Sequence, residues 1–201
     1  MRKPDYMLQD LLSNYHLILG SGSPRRKELM QQMGLIFEVR PPVVEEKVPK
    51  DLMAEAIPDN LARLKADALA CNLRPDDILI TADTIVWHEG RHLGKPGGKS
   101  EAVKMLKHLS GDWHEVITTV CCTSTKKQRL SHETTLVHFK ELREEEILYY
   151  VSQFRPWDKA GAYGIQEWLG LVGIAEISGS YTNVVGLPTA SLYELLRIMV
   201  S

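Results

Sequence analysis

The chain has 201 residues, 44% of them hydrophobic and 25% charged, ordinary proportions for one large domain or two fused lobes. Its formal net charge of -2 at pH 7 argues against wholesale duplex binding, which needs a basic face, but permits a small anionic ligand held by a few local cations. No stretch approaches the length of a membrane span, and Met1-Arg2-Lys3-Pro4-Asp5 is not followed by the apolar region of a signal segment.

In chain order, residues 1–16 read as a leader with a short helix from Tyr6 to Leu12. An apolar strand at 17–20 runs into Ser21-Gly22-Ser23-Pro24-Arg25-Arg26. A helix over 24–34 follows: Pro24 suits its first turn, Ser23 is placed to cap it and Gly34 to end it. Free N–H groups at such a start attract anions, and two guanidinium forks match phosphate or carboxylate oxygens. The stretch thus reads either as a phosphate-binding corner or as a tight turn before a solvated basic helix. Phe37 to Val44 resembles a strand interrupted by Pro41-Pro42, and Glu45-Glu46 offers paired carboxylates. Pro58 to Cys71 gives the clearest helical period, with Lys65 at the edge of its apolar face.

Ile78 to Ala82 is a fully apolar strand that stops at Asp83-Thr84, resumes at Ile85-Val86-Trp87 and turns at Glu89-Gly90. Gly94-Lys95-Pro96-Gly97-Gly98 is a flexible corner without the spacing of a Walker A loop. A helix capped by Ser100 reaches Leu109. Trp113–Ser124 and Leu130–Phe139 read as an antiparallel pair, Glu144–Phe154 as a helix ended by Pro156, and Thr189–Met199 as the last helix. Helices alternate with parallel-type strands early, and antiparallel strands intrude in the middle. The fold class is therefore mixed α/β: a twisted sheet flanked by helices, with residues 1–201 as one domain of two lobes around a central cleft.

Asp83 is the sharpest polar residue. At the end of an apolar strand run it supplies a hard oxygen ligand for Mg²⁺ or a base for water, or it merely caps a turn. Lys65, Lys95 and Lys159 are candidate phosphate contacts, and His114 a candidate ligand contact. Trp157, Tyr163 and Trp168 either stack on a base or fill the core. Gln166 offers an amide able to pair with a base edge that carries both a donor and an acceptor. The seven histidines contain no H-E-x-x-H pattern, which argues against zinc. Cys71, Cys121 and Cys122 lack metal-ligand spacing and read as buried reduced thiols, the adjacent pair pointing to opposite faces of a strand; cytoplasm is the default compartment. Pattern alone points to a metal-assisted enzyme acting on a small phosphorylated substrate.

The motifs are specific enough to name a family. Ser21-Gly22-Ser23-Pro24-Arg25-Arg26-Lys27-Glu28-Leu29, Ala82-Asp83-Thr84, Gly94-Lys95-Pro96, Leu109-Ser110-Gly111 with His114, Asp158-Lys159-Ala160-Gly161-Ala162-Tyr163-Gly164-Ile165-Gln166 and Asn183-Val184-Val185-Gly186-Leu187-Pro188 stand in order from Leu17 onward. In this the chain resembles the Maf family of nucleoside triphosphate pyrophosphatases. The resemblance implies hydrolysis between the α and β phosphates to a monophosphate and pyrophosphate, with Mg²⁺ or Mn²⁺. It implies Asp83 as catalytic carboxylate and metal ligand, Glu45 as the second metal ligand, and Ser21, Arg25, Arg26, Lys65, Thr84, Lys95 and Gln166 as substrate contacts. Arg25, Thr84 and Gln166 resemble the branch acting on dTTP and UTP. Nucleoside triphosphates are then the partners, in a homodimer without nucleic acid or membrane. Other or modified nucleotides are the alternative substrates, and a non-catalytic nucleotide-binding regulator of septum formation is the alternative function. Thr118-Thr119-Val120 and Glu167-Trp168-Leu169-Gly170 depart from the family pattern, the latter on the base side.

Overall fold

A computed structural model describes residues 7–49 and 51–201. Its organising element is β3 (Asp77–His88), a strand buried on both faces. Such burial needs the apolar run Ile78-Leu79-Ile80, with cover above and below. On one edge β3 pairs in parallel with β1 (His16–Leu19), which in turn pairs in parallel with β2 (Phe37–Val39). On the other edge lies β5 (Trp113–Thr123), antiparallel, followed by β6 (Gln128–Phe139) and β7 (Ile174–Ser178). The short β4 (Arg91–Leu93) turns back on the end of β3.

Helices cover both faces. With a period of two along β3, Leu79, Thr81, Asp83 and Ile85 face one side, and Ile80, Ala82, Thr84 and Val86 the other. α3 (Ala56–Ala70) covers the first face, where Ala62 and Ala66 pack on Leu79 and Leu61 on Ile85. α1 (Leu8–Leu11), α2 (Pro24–Gln32) and α8 (Thr189–Met199) cover the second, joining Leu29, Met30, Leu192 and Leu196 to Ile80 and Ala82. α4 (Lys99–Leu109) and α5 (Glu144–Phe154) extend that layer around Val86, with α6 (Trp168–Gly173) packed beside them; α7 (Tyr181–Val185) precedes α8. This is the expected mixed α/β fold. No helix among the described residues is long and apolar enough to cross a membrane.

Several local expectations are corrected. The strand from Phe37 ends at Val39, before Pro41-Pro42. Asp83-Thr84 does not break β3, because antiparallel pairing with β5 runs unbroken through Asp83↔Thr119 and Thr84↔Thr118. α4 begins at Lys99 with Gly98 at its N-cap, so Ser100 lies inside the first turn. Ser23 is the N-cap of α2, but its side chain makes no capping bond. Trp168–Gly173 and Tyr181–Val185 form two further short helices, α6 and α7. Tyr6 of the expected first helix lies outside the described residues. Cys121 and Cys122 do enter opposite layers, but Cys71 is exposed.

Candidate active site

β3 outruns its neighbours on one edge. β1 leaves it at Ile80, and β4 joins only at Val86. The intervening segment, with Asp83 at its centre, lines a cleft of about 750 Å³. That volume falls within the range of small-molecule sites.

On the α3 side of the cleft, Lys65 Nζ lies 2.5 Å from Asp83 Oδ1 and 3.2 Å from Glu46 Oε2. Lys65 and Asp83 are both buried. Lys65 sits well inside the α3 face rather than at its edge, because two carboxylates meet its ammonium there. Glu45 takes a different direction. Its side chain is 74% exposed, pairs with Lys47 at 2.9 Å and is absent from the cleft wall, whereas Glu46 lines it.

The opposite face of β3 presents Thr84. Arg26 donates to Gly186 O at 2.8 Å, to Thr84 Oγ1 at 3.1 Å and to Ser21 Oγ at 3.3 Å. Thr84 also meets Thr118 Oγ1 at 3.0 Å. Three acceptors therefore fix the guanidinium beside the start of α2, whose first-turn N–H groups have no intrahelical partner. Burial lowers the Arg26 pKa, while Asp83 and Glu46 act the other way. Gly20 leads the chain into this corner. A Cβ there would lie 2.7 Å from the Thr81 methyl, so only glycine lets the turn sit this close to β3.

The third wall is the segment from Asp158 to Gln166. Arg25 meets Asp158 Oδ2 at 3.0 Å, and Lys159 bridges Asp158 at 2.7 Å and Glu167 at 3.0 Å. Tyr150 donates its hydroxyl hydrogen to Glu167 and accepts the Gly164 N–H at 3.0 Å. Burial pushes the Asp158 carboxyl up, but the hydrogen bonds from Lys159 and Arg25 prevail and hold it below its usual range. Gly161 has φ +65 and a Cβ there would lie 2.9 Å from Val86, so the segment lies flat on β3. Lys95 and Gln166 stand exposed on the cleft wall, without a side-chain partner among the described residues.

All the expected substrate-contact residues, Ser21, Arg25, Arg26, Lys65, Thr84, Lys95 and Gln166, line this one cleft with Asp83. Others lie elsewhere or are already engaged. Lys159 is locked between two carboxylates. His114 is buried beneath Tyr163, bonded to its hydroxyl at 2.7 Å, and does not line the cleft. Of the three aromatics only Tyr163 reaches the cleft; Trp168 packs edge-on against Tyr149. His92 does line it, unanticipated, and burial holds its imidazole below the ordinary value. Its position across the β3–β4 hairpin from Trp87 left no mark in residue spacing.

Two places have donors suited to a divalent cation. The cleft offers Asp83 and Glu46, hard carboxylate oxygens converging on one cation already, the Lys65 ammonium; such a donor set fits Mg²⁺ or Mn²⁺. Outside the cleft, ligand atoms of His88, Glu89 and His108 lie within 4.8 Å of one another and could chelate a divalent metal.

The cleft sets a basic corner, Arg25 and Arg26 at the start of α2, opposite the buried carboxylate of Asp83, and the relatives that share this chain's family make the class a hydrolase. The chain belongs to the Maf family: the profile described as "Maf-like protein" matches residues 16–199. It is 48% identical over 194 residues to a dTTP/UTP pyrophosphatase of Flavobacterium johnsoniae, covering 96% of this chain and 100% of that one. It is 51% identical over 187 residues to a dTTP/UTP pyrophosphatase of Bacteroides fragilis, covering 92% and 97%. Among solved structures, the Staphylococcus aureus Ham1 protein matches with TM-score 0.52 at 15% identity, covering 92% of this chain and 99% of that one, and shares the fold.

Proposed function

We propose that the protein is a nucleoside triphosphate pyrophosphatase that hydrolyses dTTP and UTP between the α and β phosphates, releasing the monophosphate and pyrophosphate. The observation that carries this reading is the meeting, across one strand, of Asp83 with Lys65 and Glu46 on one face and the Arg26–Ser21 corner on the other. The two relatives of similar length named above support the choice of substrates.

In this reading the start of α2, Ser21, Arg26 and Lys95 bind the phosphate chain. Fixed donors of this kind stabilise charge that develops on a leaving pyrophosphate. Asp83 takes the proton from the attacking water, and Lys65 holds its carboxylate in place. Asp83 and Glu46 would hold Mg²⁺ or Mn²⁺, which when bound supplies Lewis-acid polarisation of a phosphoryl oxygen. Arg25, set by Asp158, and Gln166 flank the base. Thr84 acts through Arg26, since its hydroxyl is already engaged by Arg26 and Thr118. A cytoplasmic setting is supported by three free thiols, two of them buried in opposite layers.

The test is a panel of standard and modified nucleoside triphosphates assayed with Mg²⁺ or Mn²⁺ for pyrophosphate and orthophosphate. Pyrophosphate from dTTP and UTP ahead of purine triphosphates is expected. Orthophosphate as the product, or purine triphosphates as the best substrates, would overturn the reading.

A further inference from the structure

Away from the cleft, the turn between β3 and β4 rests on the C-terminal end of α4. His88 is 4% exposed. Its Nε2 lies 3.0 Å from Asp112 Oδ2, while its Nδ1 is buried with no hydrogen-bond partner among the described residues. A carboxylate on Nε2 fixes the tautomer with the proton on that nitrogen and leaves a lone pair on Nδ1. A buried imidazole nitrogen without a partner calls for an explanation, and His88, unlike His114 whose Nδ1 is equally unpartnered, has a carboxylate and a second imidazole close enough to share one ion with it. The His88 ring stands edge-on to that of His108, with centroids 4.7 Å apart. His108 Nε2 in turn lies 3.1 Å from Glu89 Oε2.

We propose that His88 Nδ1, the Glu89 carboxylate and His108 bind one divalent metal of the zinc class, separate from the hydrolytic centre, with Asp112 orienting His88 from behind. Two imidazoles and one carboxylate suit zinc, cobalt or nickel, whereas magnesium takes oxygen donors. Asp112 is placed as an orienting carboxylate: one oxygen takes His88, and the other takes the Trp113 N–H at 2.7 Å. Carboxylate, histidine and metal in that order is the usual second layer of such sites. Glu89 and His108 are partly exposed, so water can complete the coordination. A cation here also meets the negative end of the α4 dipole. The ligands lie on either side of β4 and most of α4, which is why no compact histidine motif marks them in the sequence. Bound metal ties the β3–β4 turn to α4, and the same hairpin leads directly into Lys95 on the cleft wall.

The experiment uses the full chain carrying Cys71→Ser, which removes the exposed thiol as a competing ligand, after chelator treatment. Cobalt and zinc are titrated by absorbance and calorimetry. Besides any weaker binding at the cleft carboxylates, a saturable event in the micromolar range is expected, with cobalt d–d bands, no thiolate charge-transfer band, and persistence in Glu46→Gln. Glu89→Gln and His108→Ala, both surface changes, should each weaken it by about tenfold or more, while pyrophosphate release in magnesium stays as in the parent. Absence of a saturable event, or affinity unchanged in both variants, overturns the proposal.

Discussion

Lys65 Nζ stands 2.5 Å from Asp83 Oδ1, and both side chains are buried at the floor of the cleft. Each charge there depends on the other. Asp83→Asn should lower pyrophosphate release by about 10²–10⁴-fold while nucleotide binding persists. Lys65→Met strands a carboxylate and should destabilise the fold by up to about 3–5 kcal/mol, cleft water offsetting part of that. Release assays, nucleotide titration and denaturant melts read all three quantities. Undiminished turnover in Asp83→Asn removes it as the base.

Glu46 and Glu45 are neighbours with opposite environments, and the resemblance to the Maf family had pointed to Glu45. Glu46→Gln should reduce kcat by about tenfold or more and raise the magnesium concentration needed for half-maximal rate. Glu45→Gln should leave both within experimental scatter. The reverse outcome would return the metal ligand to Glu45.

Tyr150 anchors the base-side wall from α5 through Glu167 and the Gly164 N–H. Tyr150→Phe leaves a charged acceptor and a buried N–H short of one bond each, and should cost about 1–3 kcal/mol. Because the wall carries Gln166, KM for dTTP and UTP should rise more than kcat falls. A parent-like KM would mean that Glu167 and Lys159 hold the segment without Tyr150.

His114 is 2% exposed, and burial lowers its pKa from 6.5 to about 3. Between those values the unfolded chain binds a proton that the native chain refuses, so native stability rises with pH across the window and falls as pH drops below 6.5. Near pH 4.5 the loss attributable to this residue should be about 2–3 kcal/mol. Denaturant midpoints at neutral pH and near pH 4.5 should differ more for the parent than for His114→Gln. Equal differences would show that the pH sensitivity lies elsewhere.

Much of this was legible in the sequence because local chemistry carried it. Pro24 and Gly34 bracket α2, the apolar run 78–82 marks the buried strand, and the Ser21–Leu29 stretch marks a basic turn that walls the cleft. Neighbours across the fold were illegible. Asp83-Thr84 looks like a strand end until β5 is seen pairing through it. Lys65 looks like the rim of an amphipathic helix until Asp83 and Glu46 are found inside that helix's face. His114 beside Trp113 looks like a ligand contact, yet Tyr163 caps it. Glu45 and Glu46 are identical as letters, and only the direction of the chain after Pro41-Pro42 separates them.

Arg26 donates to the carbonyl oxygen of Gly186, and Arg25 to Asp158, partners that lie most of the chain's length away. A ribosome delivers those partners near the end of synthesis. Until then Ser21 and Thr84 can hold Arg26, but its third acceptor and the Asp158 partner of Arg25 have yet to be made. The set closes when the chain just past α7 reaches the cleft and the Gly186 carbonyl becomes the third acceptor of the Arg26 guanidinium.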